Sequence, residues 1–263
     1  MANDTLLKVS NVSKRFGGVQ AVNDVSLELG GDEIIGIIGP NGAGKTSFFN
    51  LISGLFPADS GTIEFDGKDI TKTDLPTRAR SGIGRTFQVV RPFSGMTVVE
   101  NVMVPVLINH PRPSVARAKA MELLDELGIA DIAERPTESL TLAMRKRVEV
   151  AKALGTEPKL LLLDEVLAGL NSREVTEVLP FVTRVRDRGV AILMIEHIVA
   201  AVMEVSDQMM VLNNGQVLAA GDPQDVITDP KVIEAYLGTK HTDDTIASNI
   251  ISEAEQRGSQ SNA

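Results

Sequence analysis

The stretch Gly39-Pro40-Asn41-Gly42-Ala43-Gly44-Lys45-Thr46 fits the spacing G-x-x-x-x-G-K-[ST] at every fixed position. Glycines at these places let successive backbone N–H groups converge on phosphate oxygens, and a helix N-terminus just beyond adds a favourable dipole. In that arrangement Lys45 reaches the β- and γ-phosphates of a nucleoside triphosphate, the Thr46 hydroxyl ligates Mg²⁺, and Ser47 completes the binding segment. A second constellation lies far along the chain, where four leucines at 160–163 lead into Asp164-Glu165. Two carboxylates emerging where a parallel strand ends stand where ligands bind in open α/β sheets. Asp164 is placed to hold the Mg²⁺ shell, and Glu165 to orient and deprotonate an attacking water. His197 follows another apolar run and falls at the same sheet edge, so it is expected to contact the γ-phosphate. Gln88, by itself, is an unremarkable glutamine.

These residues need elements to position them. The apolar run 34–38 reads as a buried strand ahead of the glycine loop, and Phe48, Leu51, Ile52 and Leu55 mark one face of a helix after it. The runs 160–163 and 190–195 read as parallel strands covered on both faces, with the stripe Val175, Val178, Leu179, Val182, Val185 as the helix between them. Pro180 inside that stripe is expected to kink the helix or open a turn. Residues 6–10 and 25–29 alternate as strands around a Phe16-Gly17-Gly18 turn, and Asp66-Gly67 and Asn214-Gly215 read as hairpin turns. Between 89 and 154 the pattern turns helical, with Ala120, Leu123, Leu124, Leu127 and then Met144, Val148, Ala151 marking faces. The one strand candidate in that region is the apolar run 102–108. Asp222-Pro223 and Asp229-Pro230 place a cap before a first-turn proline. The expected architecture is α/β: a P-loop core with a RecA-like parallel sheet, an antiparallel β subdomain and a helical insertion. Residues 1–240 form one domain (core 1–88 and 155–240, insertion 89–154), followed by a mobile polar tail at 241–263.

With a net charge of -9 the chain does not offer a broad nucleic-acid surface. It has no cysteine for disulfides or thiolate metal sites, and His110, His197 and His241 are too scattered for a metal cluster. No apolar run approaches the ~18 residues needed to span a bilayer, and the N-terminus lacks a secretory pattern. A soluble, cytoplasmic chain is the expectation.

Phosphate loop, glutamine at the entry to a helical insertion, apolar-Asp-Glu and a later histidine, in this order, resemble the ATP-binding cassette (ABC) family over roughly 6–238. More narrowly, the chain is similar to ATP-binding subunits of bacterial branched-chain amino acid importers. Phe16-Gly17-Gly18-Val19, Arg85-Thr86-Phe87-Gln88, Ala168-Gly169-Leu170-Asn171 and Glu234-Ala235-Tyr236-Leu237-Gly238 carry that likeness. The resemblance implies an ATPase subunit that uses ATP and Mg²⁺. It would sit peripherally on the inner face of the membrane, paired with a second ABC ATPase, identical or different. Two integral membrane permease subunits and, indirectly, an extracytoplasmic solute-binding protein complete the implied assembly, with no nucleic acid. It further implies that Phe16 stacks on adenine and that Gln88 joins the metal and γ-phosphate contacts and relays them to the membrane subunits. Residues 168–171 would lie across the dimer interface. Leu140, Thr141 and Ala143 would act in trans on the partner's ATP, in place of the usual Leu-Ser-Gly-Gly-Gln. Here Thr141 keeps a hydroxyl, Ala143 adds a methyl and Met144 loses the polar glutamine; Val166 and Ile198 replace a common proline and aspartate. Two rival readings are a soluble ABC-type clamp acting on a ribosome or nucleic acid and a small-molecule kinase.

Overall fold

In a computed structural model, which describes residues 5–87 and 92–237, the chain opens with a long hairpin. Strands β1 (Thr5–Phe16) and β2 (Val19–Gly30) pair antiparallel from Thr5↔Gly30 to Phe16↔Val19, well beyond the two short strands expected. Strand β3 (Ile34–Ile38) is buried along its whole length and delivers the glycine loop to helix α1 (Lys45–Ser53). Gly54 ends α1 in the left-handed region at φ 79°, so Leu55 falls outside the helix and is exposed, contrary to the expected stripe. The hairpin β4 (Ser60–Phe65) and β5 (Lys68–Asp69) joins the first two strands in a four-stranded antiparallel sheet of order β2-β1-β4-β5.

After the short helix α2 (Leu75–Arg80) comes β6 (Ile83–Arg85), a three-residue strand that periodicity gives no means to see. Helix α3 (Val98–Val106) takes up most of the run read above as a strand candidate. A capping box between Thr97 and Glu100 starts it, and Val98, Val102 and Val106 recur at helical spacing on its buried side. Helices α4 (Pro113–Glu126) and α5 (Leu142–Leu154) follow. Then come β7 (Leu160–Asp164), α6 (Ser172–Asp187), β8 (Ala191–Ile195) and α7 (Val199–Val205). Helix α6 runs through Pro180 without opening a turn. Pro180 and Thr176 are both exposed, so the Thr176 carbonyl that a proline cannot satisfy is open to water. The described chain ends with the hairpin β9 (Gln208–Asn213) and β10 (Gln216–Gly221), then α8 (Pro223–Thr228) and α9 (Pro230–Leu237). The expected tail at 241–263 and Gln88 lie outside the described residues.

The second sheet has six strands in the order β10-β9-β3-β8-β7-β6, parallel except for the β9–β10 pair. Helix α1 lies between the two sheets: Phe48, Phe49, Leu51 and Ile52 share a core with Leu7, Val9 and Ile63 on one side and Ile37, Leu162 and Leu193 on the other. The opposite face of the parallel sheet packs on α3–α7. Arg78 on α2, 1 % exposed, ties α1 to the end of the antiparallel sheet by donating to the carbonyls of Leu51, Ile52 and Ile70 at 2.6–2.8 Å. Burial pushes its guanidinium down to about 10.

Candidate functional site

Because β3, β8, β7 and β6 run parallel as neighbours, their carboxyl ends open on one edge of the sheet. The glycine loop leaves β3, Asp164 ends β7, His197 follows β8, and Arg85 ends β6. One cleft of about 350 Å³ is lined by residues 41–47, Glu165, His197, Asn214 and residues 19–21 of β2. Segments more than a hundred residues apart in sequence therefore meet.

The loop itself is built on glycine geometry at two positions. Gly39 has φ 151°, and a Cβ there would stand 2.1 Å from the Leu212 carbonyl oxygen. Gly44 has φ 102°, and its Cβ would stand 2.2 Å from the Ala21 carbonyl oxygen. Only glycine keeps the chain in this path. Lys45 is 6 % exposed, and its ammonium donates to the carbonyls of Gly39 at 2.6 Å and Pro40 at 3.1 Å. Burial lowers its pKa, opposed by the charges of Glu165 and then Asp164. The first amides of α1, unused within the helix, open at the loop. Gly39 also makes a backbone hydrogen bond to the buried phenol of Tyr236 on α9, a contact that sequence reasoning did not anticipate.

The adjacent carboxylates face different surroundings. Asp164, 2 % exposed, accepts from Arg85 Nη2 at 2.9 Å through Oδ2, while its Oδ1 is buried without a hydrogen-bond partner. Burial raises its pKa despite the guanidinium. Arg85 also reaches Asn50 and Ser53 on α1, each at 2.7 Å, so one side chain links the helix after the loop to the end of β7. An unpartnered buried carboxylate oxygen on Asp164, with Thr46, a hydroxyl residue, bordering the same groove, is a hard oxygen donor set that fits Mg²⁺. Glu165 turns the other way: its Oε1 lies 2.8 Å from His197 Nε2. The histidine expected to meet a γ-phosphate is thus hydrogen-bonded to the second carboxylate.

Phe16, exposed at the end of β1, stands edge-to-face against Phe56 with centroids 5.3 Å apart. Residues 140, 141 and 143 do not line the cleft with the glycine loop. Leu140 is buried, and the Thr141 hydroxyl caps α5 by accepting from Met144 N at 3.3 Å. A larger groove of about 780 Å³, which Thr46 and Asp164 also border, passes Arg85, Phe87, Phe93, Val104, Ile108 and Lys152, with the four apolar side chains exposed. Among the described residues, no helix is long and apolar enough to cross a membrane.

Of the buried charges that went unread in the sequence, two hold the loop after Asp164. Lys146 on α5 and Glu196 at the end of β8 are 8 % and 1 % exposed. The available signal was a carboxylate directly after the wholly apolar 191–195 run, and a lysine on the buried face of a helix.

Comparison with known proteins places residues 22–168 in the family model described as ABC transporter. Residues 216–242 match a second model, described as branched-chain amino acid ATP-binding cassette transporter. The chain is 37 % identical over 249 residues to the high-affinity branched-chain amino acid transport ATP-binding protein BraF of Pseudomonas aeruginosa, covering 89 % of this chain and 98 % of that one. It is 38 % identical over 249 residues to LivG of Escherichia coli (strain K12), which carries the same description, with the same coverage. It is also 37 % identical over 235 residues to the lipopolysaccharide export system ATP-binding protein LptB of Haemophilus influenzae, with coverage of 89 % and 98 %. Among solved structures, an ATP-binding cassette of an ABC transporter in its ADP conformation superposes with a TM-score of 0.81 at 32 % identity, covering 89 % of this chain and 99 % of that one. A nucleotide-free cassette gives a TM-score of 0.81 at 31 % identity, covering 88 % and 98 %.

Proposed function

The chain belongs to the ABC transporter family and is one of its ATPases, and from that premise we propose that it powers uptake of branched-chain amino acids or related small solutes through separate membrane subunits. The observation that carries the importer reading is the second family match at 216–242, because overall identity alone ranks importer and exporter relatives together. The soluble clamp finds no support among these relatives, which are transport subunits.

In this reading residues 1–240 act as one ATPase unit with the insertion at 89–154. The loop amides and the N-terminus of α1 hold the phosphates, and Lys45 exchanges its two carbonyl partners for β- and γ-phosphate oxygens. Phe16 stacks on adenine. Mg²⁺, when bound, neutralises charge on the phosphates, and Thr46, Asp164 and Gln88 are the residues that would hold it. Glu165 takes the proton of the attacking water, and His197 orients the Glu165 carboxylate while facing the γ-phosphate. Leu140, Thr141 and Ala143 act on the ATP of a second ABC subunit. Gln88 and the apolar groove beside Arg85 and Phe87 serve the two membrane permease subunits, which hold the chain at the inner face of the membrane and receive solute from an extracytoplasmic binding protein.

The test is uptake of labelled leucine, isoleucine and valine in native cells lacking this chain, with the native chain supplied in trans. Co-purification from detergent-solubilised membranes identifies the partners. Restoration by the native chain, and recovery of two integral membrane proteins with a second ABC ATPase, is the expected result. Unchanged amino-acid uptake together with recovery of lipopolysaccharide-export components would overturn the importer reading in favour of the exporter one.

A further inference from the structure

Glu165 sits in the left-handed region at φ 51°, a conformation costly for a side chain with a Cβ. Such strain of about 1–3 kcal/mol persists only where the surroundings over-determine the backbone. At Glu165 they do. Its N–H donates to the Ile195 carbonyl at 2.9 Å, in line with the β7–β8 ladder. Its carbonyl accepts from the Lys146 ammonium at 2.8 Å, and the same ammonium donates to the Ala168 carbonyl. The amide between those points, Leu167 N, donates to Glu196 Oε1 at 2.8 Å. Two buried side chains from distant elements thus hold three peptides of one short loop. The apolar side chains of Val166 and Leu167 anchor the loop in the core, but apolar burial does not fix the direction of a peptide.

We propose that Lys146 and Glu196 are positioning residues for water activation, holding loop 165–168 so that the Glu165 carboxylate faces His197 and the nucleotide cleft. The inference rests on the assignment of Glu165 as the base. One oxygen of Glu196 accepts from Leu167 N and the other is buried without a hydrogen-bond partner in the geometry; the carboxylate also feels the backbone N–H of the adjacent His197 and offsets the Lys146 charge. Because Lys146 projects from α5, two residues beyond the segment 140–144, the clamp also ties that helix to the backbone of the hydrolytic residue.

The experiment compares the full chain in its assembled complex with K146M and the charge-free double variant K146M/E196L, each also made with E165Q. The double variant leaves no buried charge alone, a replacement that is often neutral for stability, so it serves where K146M fails to fold. The expected result is a loss of about 10–100-fold in kcat with KM for ATP within about threefold. Neither set should lower the residual rate further in the E165Q background, and K146R should recover part of kcat. A folded K146M or double variant with unchanged kcat would overturn the inference, as would an equal loss in the E165Q background. If E165Q itself hydrolyses ATP at a near-normal rate, the assignment of the base is what fails.

Discussion

The glycine loop and the loop after Asp164 stand across one cleft, yet they are built by opposite means. The first is shaped chiefly from within: Ala43 N bonds the Pro40 carbonyl, Lys45 bonds Gly39 and Pro40, and glycines accept the torsions the path demands. The second contains a strained glutamate and is held from outside, by a lysine 19 residues before Glu165 and a glutamate 29 residues after Leu167. A loop that must grip many similar phosphates can carry its geometry in its own backbone. A loop that must aim one carboxylate borrows geometry from the core.

That difference can be broken at several points. Lys45→Met removes the charge-assisted contacts of the glycine loop and should weaken MgATP binding by about 100-fold, taking hydrolysis to background. Equilibrium titration with a fluorescent ATP analogue reads it, and retained affinity would reject Lys45 as the phosphate ligand. Gly39→Ala places a Cβ against the Leu212 carbonyl in a torsion that L-residues rarely adopt, and should cost about 3 kcal/mol in denaturant unfolding. An unchanged midpoint would show that β9 yields there.

Glu196→Gln probes the other loop through pH. Burial raises the folded Glu196 carboxyl to about 7 from an ordinary 4.5, against the pull of the Leu167 amide and Lys146 and with the push of Glu165. Folding therefore takes up a proton between those values, and this contribution is fully present below about pH 4.5 and lost as pH rises through 7. The stability of the glutamine variant relative to native should therefore rise between pH 4.5 and pH 8, measured by parallel urea melts. A pH-independent difference would contradict it. The smallest effect is expected at 143 and 144. Ala143→Gly with Met144→Gln should raise ATPase of the assembled complex by about 2–5-fold, because a methyl and a missing amide weaken the site completed in trans. No change would sink that reading of the segment.

The same contrast explains what was legible in the sequence. The glycine loop, the strands at 34–38 and 160–163, the hairpin turns at 66–67 and 214–215 and the helix over Val175–Val185 are local patterns, and the structure places them as read. Strand β6 is too short to carry a period, and the 102–108 run is apolar enough for a strand until the Thr97–Glu100 capping box decides for helix. Arg85, Lys146 and Glu196 gain their meaning from partners 79, 19 and 29 residues away, which no window of sequence contains. The reach of Tyr236 from α9 to Gly39 is another such contact.

The most direct test of the account is Glu165→Gln in the assembled complex, with MgATP binding and single-turnover hydrolysis measured side by side. The account predicts native affinity for MgATP and a loss of hydrolysis by about 100-fold or more. Near-native hydrolysis in that variant would mean that the water is activated elsewhere, and that the strained glutamate beside His197 has another task.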